Sequence, residues 1–245
     1  MLEIANLSKR YGETIALDDA TVAFAAGTVH TIMGENGSGK STLVKMLSGI
    51  VTPDRGEIRV DGARLAGRSP QAFQRRGFST VFQEVLVAPD RTVTDNVLLG
   101  YDGLVRRRLS RSARRATARD ALALCTPTTV DPDGEAGHLP LASQQLVVLA
   151  RALVRKPRIL ILDEVTAALD FNDRETVFLL IERLAREGCL ILFISHRMDE
   201  VMRLSHRITI LRSGKVVETL DRAAATPEML LARMAPEILA ERAHG

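Results

Sequence analysis

Residues 34–42, GENGSGKST, constrain the fold of this 245-residue chain more than any other feature. They match the pattern G-x-x-x-x-G-K-[ST] through Gly34, Gly39, Lys40 and Ser41, between an apolar run, TVHTIM, and a helical pattern, STLVKMLSGI. The pattern requires that strand–loop–helix context. Glycines let successive backbone N–H groups curl around an anion, and the helix N-terminus behind them adds positive potential. The tract therefore predicts a phosphate cradle made by Gly34, Glu35, Asn36, Gly37, Ser38, Gly39 and Thr42. Within it Lys40 reaches β- and γ-phosphates, and the Ser41 hydroxyl ligates Mg²⁺.

The rest of the chain alternates apolar runs with helical patterns, which predicts an α/β fold with a largely parallel sheet. Strands are expected at 2–8, 15–25, 28–33, 56–60, 77–82, 158–162, 189–194, 206–212 and 215–219. Helices are expected at 40–49, 70–76, 93–99, 111–124, 142–155, 173–187, 197–203 and 227–234. The first strands lie close together without helices between them, so an antiparallel β layer is expected at one edge. No strand is expected over about 84–156, which reads as a helical insertion between two core strands. Within it 126–137, TPTTVDPDGEAG, is rich in turn formers and reads as a loop. We therefore expect a single domain over 1–245, with a helical subdomain at about 84–156 and a tail from about 222.

Charge and composition narrow the function classes. Seven arginines, at positions 106, 107, 108, 111, 114, 115 and 119, more than account for the net charge of +3. The basic surplus is thus one local patch: a solvated helical face, or a contact with anionic lipid headgroups or a membrane subunit. With 7 Phe, 2 Tyr and no Trp, the chain is poor in the aromatics that stack bases, and no nucleic-acid partner is expected. No run approaches 18 apolar residues, and the start, MLEIANLSKRYGE, does not read as a signal peptide. Cys125 and Cys189 are expected to be buried, reduced thiols.

Two further strands end in polar groups. In RILILDEVTAALD the apolar run stops at Asp163 and Glu164. Carboxylates at the C-terminal end of a strand lie where α/β sheets do chemistry. Asp163 fits the Mg²⁺-side carboxylate of a phosphoryl-transfer site, and Glu164 a general base that polarises water. In CLILFISHRMDE the strand ends at His196.

Together these motifs resemble an ATP-binding cassette (ABC) ATPase over about residues 2–220. The resemblance implies a P-loop NTPase core with a mixed, mainly parallel sheet, an antiparallel β layer and a helical subdomain. It implies a Q-loop glutamine at Gln83, on the Mg²⁺ side of the site; a D-loop at AALD, ending in Asp170; and a switch histidine at His196. It also implies that Tyr11 stacks on adenine, where the plain alternative is an edge-strand tyrosine. Three tracts are similar to the ATP-binding subunits of bacterial simple-sugar importers: GENGSGKSTLVKMLSGIVTPDRGEIRVDG, VFQEVLVAPDRTVTDNVLLG and FISHRMDEV. Typical members carry two cassettes in one chain. The implied cofactors are ATP and Mg²⁺. The implied partners are a second cassette, transmembrane permease subunits and, indirectly, an exported substrate-binding protein, at the cytoplasmic face of the cell membrane.

One tract departs from the family pattern. The LSGGQ signature falls on Leu139, Pro140, Leu141, Ala142 and Ser143. Pro140 replaces a hydroxyl donor and lacks an N–H, while Leu141 and Ala142 replace glycines. Val165 stands where the family usually has proline. Two functions therefore remain: an energy-coupling ATPase subunit of an importer, or a nucleotide-binding regulatory cassette with little turnover in a heteromeric complex.

Overall fold

The computed structural model describes residues 1–65, 69–102 and 109–234. Two sheets share one core. Strands β1 (Leu2–Tyr11), β2 (Thr14–Phe24), β4 (Arg55–Val60) and β5 (Ala63–Arg64) pair antiparallel in the order β2-β1-β4-β5. The second sheet runs β10-β9-β3-β8-β7-β6, from β3 (Val29–Met33), β6 (Phe78–Val81), β7 (Ile159–Asp163), β8 (Leu190–Ile194), β9 (Arg207–Arg212) and β10 (Lys215–Asp221). Its pairs are parallel except the β9–β10 hairpin. The expected antiparallel layer is therefore a separate sheet, and not an edge of the parallel one. Only β3, among the closely spaced early strands, crosses into the parallel sheet.

Strands β3, β7 and β8 are buried along their whole length; β7 and β8 accordingly read as near-continuous apolar runs, whereas β3 also buries His30 and Thr31. Their alternate residues still face opposite ways. Ile159 and Ile161 of β7, with Leu190, Leu192 and Ile194 of β8, pack toward α1 (Lys40–Leu47) and the antiparallel sheet. Leu160 and Leu162, with Ile191 and Phe193, pack with Leu146 of α5 (Leu141–Leu153) and Val177 and Phe178 of α6 (Phe171–Arg186). The helix α1 is thus sandwiched between the sheets and buries Leu43, Val44, Met46 and Leu47.

The chain from β6 to β7 forms α3 (Val93–Val97), α4 (Arg111–Ala123), a 3₁₀ turn (Ala136–His138) and α5. Helices α2 (Pro70–Arg75), α7 (Met198–Leu204) and α8 (Pro227–Met234) and a second 3₁₀ turn (Arg222–Ala224) complete the described elements. No described helix is long and apolar enough to cross a membrane. Both cysteines are buried.

The arginine patch is less open than its sequence implies. Arg114 is buried and ion-pairs with Asp102 and, at 2.6 Å, with Asp95 of α3, because its face of α4 turns inward. Arg115 meets Asp133 at 2.9 Å. Arg106, Arg107 and Arg108 lie outside the described residues, as does the tail beyond 234.

Candidate functional site

Register brings four strand ends to one level. Ile32 of β3 lies beside Ile194 of β8, Asp163 of β7 beside the same Ile194, and Val81 of β6 beside Leu162. The groups expected from sequence follow directly from these carboxyl ends, where parallel sheets present their ligand crevices.

After β3 the chain turns through Gly34–Gly39 into α1. Glycine is required at both ends of this loop. A Cβ on Gly34 would lie 2.3 Å from the Leu211 carbonyl, and one on Gly39 2.5 Å from the Ala16 carbonyl. Gly39 caps α1 at φ 105°, a left-handed conformation that costs glycine little. Lys40 Nζ curls back to donate to the Gly34 and Glu35 carbonyls, at 2.7 and 2.9 Å. Burial lowers its pKa, opposed by the charges of Glu164, Asp163 and Glu35. Glu35, Asn36 and Gly37 form the exposed crest, Ser41 is exposed in the first turn of α1, and Thr42 is half-buried. The Ser38 hydroxyl is buried without a hydrogen-bond partner.

Asp163 ends β7 in a buried position. Burial first, then the Glu164 charge, pushes its pKa up to about 6, against the pull of Lys40 and Lys45. Glu164 follows at φ 52°, a left-handed conformation unusual for a residue with a side chain. Its N–H donates to the Ile194 carbonyl at 3.0 Å. Its carboxylate then meets two groups from neighbouring strand ends. Gln83 Nε2 donates to Oε2 at 3.1 Å, and His196 Nδ1 lies 3.1 Å from Oε1. Gln83, Glu164 and His196 thus form one hydrogen-bonded cluster, at the same sheet edge as the phosphate loop.

Two expected residues stand apart from that cluster. Tyr11 ends β1, half exposed, with Lys9 Nζ 5.6 Å from its ring centroid. The β1–β2 hairpin nevertheless approaches the loop, since Ala16 of β2 crowds Gly39. Asp170 is the N-cap of α6 and accepts from the Asp173 N–H at 2.9 Å. This cap starts α6 two residues before the expected helix.

The signature tract forms the start of α5. Pro140 is its N-cap, at φ −55° and ψ 151°, with no side-chain capping bond, and Leu141 is exposed. Ser143 is therefore the third helical residue, where its hydroxyl cannot take the cap position.

Sequence reading missed a buried group beneath the cluster. Glu200 of α7 is fully buried and accepts from Thr166 Oγ1 and Ser195 Oγ. The available signal was its spacing: an acid beside Val201 and four residues before Leu204 lies on the helix face that packs inward.

A protein-family model described as ABC transporter matches residues 17–167. The chain is 39% identical over 234 residues to Ribose import ATP-binding protein RbsA 1 of Rhizobium johnstonii, covering 96% of this chain and 46% of that protein. It is 40% identical over 242 residues to the protein of the same name from Burkholderia ambifaria, with coverages of 96% and 46%. The chain thus spans about half the length of the curated relatives it matches. A dimeric post-hydrolysis ATP-binding cassette bound to ADP and Pi superimposes with a TM-score of 0.81 at 26% identity, covering 91% of this chain and 99% of that one.

Proposed function

The chain belongs to the ABC transporter family, and from that premise we propose that it binds and hydrolyses MgATP to energise an importer of a simple sugar. The observation that carries this reading is the cluster on Glu164. Its carboxylate, held by Gln83 and His196, stands at the sheet edge that also carries Lys40. Lys40 binds and orients the β- and γ-phosphates, together with the backbone N–H groups of residues 34–42. Glu164 accepts the proton of the attacking water, and His196 and Gln83 hold the carboxylate in place for that transfer. Tyr11, at the neighbouring hairpin, offers its ring face to the adenine, and Asp170 belongs to the loop that meets a second cassette.

The donor set fits Mg²⁺. No cluster of three or more His, Cys, Asp or Glu able to hold a metal occurs among the described residues. Mg²⁺ needs none, since it takes one or two protein oxygens and completes its shell with phosphates and water. Ser41 and Asp163 would supply those oxygens, with Gln83 beside them. When bound, the ion neutralises charge that develops on the phosphates.

The proposed partners are a second cassette, a membrane-spanning permease at the cytoplasmic face, and an exported binding protein that delivers the sugar. A second reading rests on Pro140. A cassette whose α5 has no capping side chain completes a partner's ATP site poorly, which favours a heteromer with one fast and one slow site. The test is phosphate release by the chain, alone and reconstituted with its permease, against Lys40→Ala. Release that needs Lys40 and rises with the permease supports the first reading. A basal rate the permease leaves unchanged favours the second, and release independent of Lys40 overturns both.

A further inference from the structure

We infer that Glu200 is a positioning residue that clamps together the two loops carrying Glu164 and His196; the inference builds on the ATPase reading above. Glu200 lies in the first turn of α7 with none of its surface exposed. Its Oε2 accepts from Thr166 Oγ1 at 2.9 Å and from Ser195 Oγ at 2.7 Å. Thr166 lies two residues beyond Glu164, and Ser195 immediately precedes His196. Ser195 Oγ also accepts from the Arg197 N–H at 3.1 Å, so the backbone on both sides of His196 is tied to the same carboxylate. Glu200 Oε1 lies 3.4 Å from Arg197 Nη1. One buried side chain thus joins the segment after β7 to the segment after β8.

A carboxylate leaves water only where donors replace the lost solvent. An apolar residue would fill the same place beside Val201 and Leu204 without that demand. What Glu200 adds is a fixed distance between two loops. The His196 side chain is 62% exposed, so besides its contact with Glu164 little packing holds the ring, and its reach to that carboxylate depends on the backbone at Ser195 and Arg197. Reacting groups need placement within about 0.5 Å, and neighbours that lock them supply it.

Thr166→Val and Ser195→Ala each delete one hydroxyl and leave Glu200 its other donor, so the fold survives either change. Two measurements follow on the full chain. The first is histidine-selective NMR. His30, buried in β3, and His206, whose Nδ1 accepts from the Val29 N–H at 3.0 Å, serve as references. The second is kcat and KM for ATP. Both variants should move the His196 ring signals and leave those of His30 and His206 in place. Both should lower kcat about tenfold or more at an unchanged KM, because misplacement acts on the chemical step. Thr166→Ser should restore the signals and the rate. The inference is overturned if the His196 signals stay where they are in wild type. It is equally overturned if the signals of His30 and His206 shift with them, which would mark a general loosening. A wild-type chain without hydrolysis would sink the ATPase reading alone, and the NMR comparison would still decide the clamp.

Discussion

At the scale of single residues, the proposed chemistry turns on two adjacent acids with opposite surroundings. Glu164 projects from a left-handed turn into hydrogen bonds with Gln83 and His196, whereas Asp163 is buried at the end of β7. Glu164→Gln should cut turnover by roughly 10²–10⁴, the scale of a lost general base, while ATP still binds. Unchanged phosphate release per bound ATP would remove Glu164 from that role. Asp163 sets a pH dependence. Its pKa is raised to about 6, so the protein favours the protonated form. The stability from that form is complete below the ordinary value of 3.8 and is lost as pH rises through about 6. The proposed Mg²⁺ site uses the carboxylate, so on that proposal Mg²⁺-dependent nucleotide affinity should strengthen as pH rises through the same range. Titrations on either side of that midpoint check this, and Asp163→Asn should flatten the profile. Tyr11→Ala should weaken nucleotide binding by about 1–3 kcal/mol, borrowing the scale of base–aromatic stacking, with Tyr11→Phe nearly neutral. Equal affinities for wild type and Tyr11→Ala would return Tyr11 to an ordinary surface position.

Elements carry the next level of the argument, and α5, like α1 and α7, starts without a side-chain cap. Ser69, Thr92, Ser110 and Asp170 cap α2, α3, α4 and α6 with side-chain oxygens, whereas Pro140 gives α5 none. A dimer of identical copies would face each ATP with that end. Donors aimed at developing charge are worth about 2.7–4 kcal/mol each, so the isolated chain should hydrolyse ATP slowly. Combining Pro140→Ser, Leu141→Gly and Ala142→Gly should raise its rate at least about tenfold. Wild-type hydrolysis as fast as that of the triple mutant would show that the α5 end is not defective. The elements themselves were legible because their patterns are strong: ILILD and LILFI are short, rich in isoleucine and leucine, and bounded by turn residues, which favours buried strands. The phosphate loop was legible from its spacing between a strand and a helix, and the acid pair from its place at the end of an apolar run. What it hid depends on tertiary neighbours. The two-residue β5 has no periodicity to read. Arg114 looks like its surface neighbours until α3 brings Asp95 beside it. Glu200 of α7 and its donor Thr166 lie 34 residues apart, and only the adjacency of β7 and β8 brings Thr166 beside Ser195 and Glu200.

For the whole molecule, the site belongs to the folded state alone, so nucleotide should stabilise the entire chain. At about 100 times its Kd, MgATP adds about 2.7 kcal/mol, which for a chain of this size raises Tm by roughly 5–10 °C. Lys40→Ala should keep the ligand-free Tm and lose the shift, and calorimetry with and without MgATP checks both. The order of strands in the central sheet has a consequence for the nascent chain. The phosphate loop leaves the ribosome before the strands beside it, since β3 is flanked by β8 and β9, and His30 pairs beside Leu192 and Arg207. Both strands that flank β3 are synthesised more than a hundred residues later. Until then β3 is an apolar strand with both edges bare, in need of protection from other strands. A growing chain therefore cannot close the sheet around the loop before translation has passed β9.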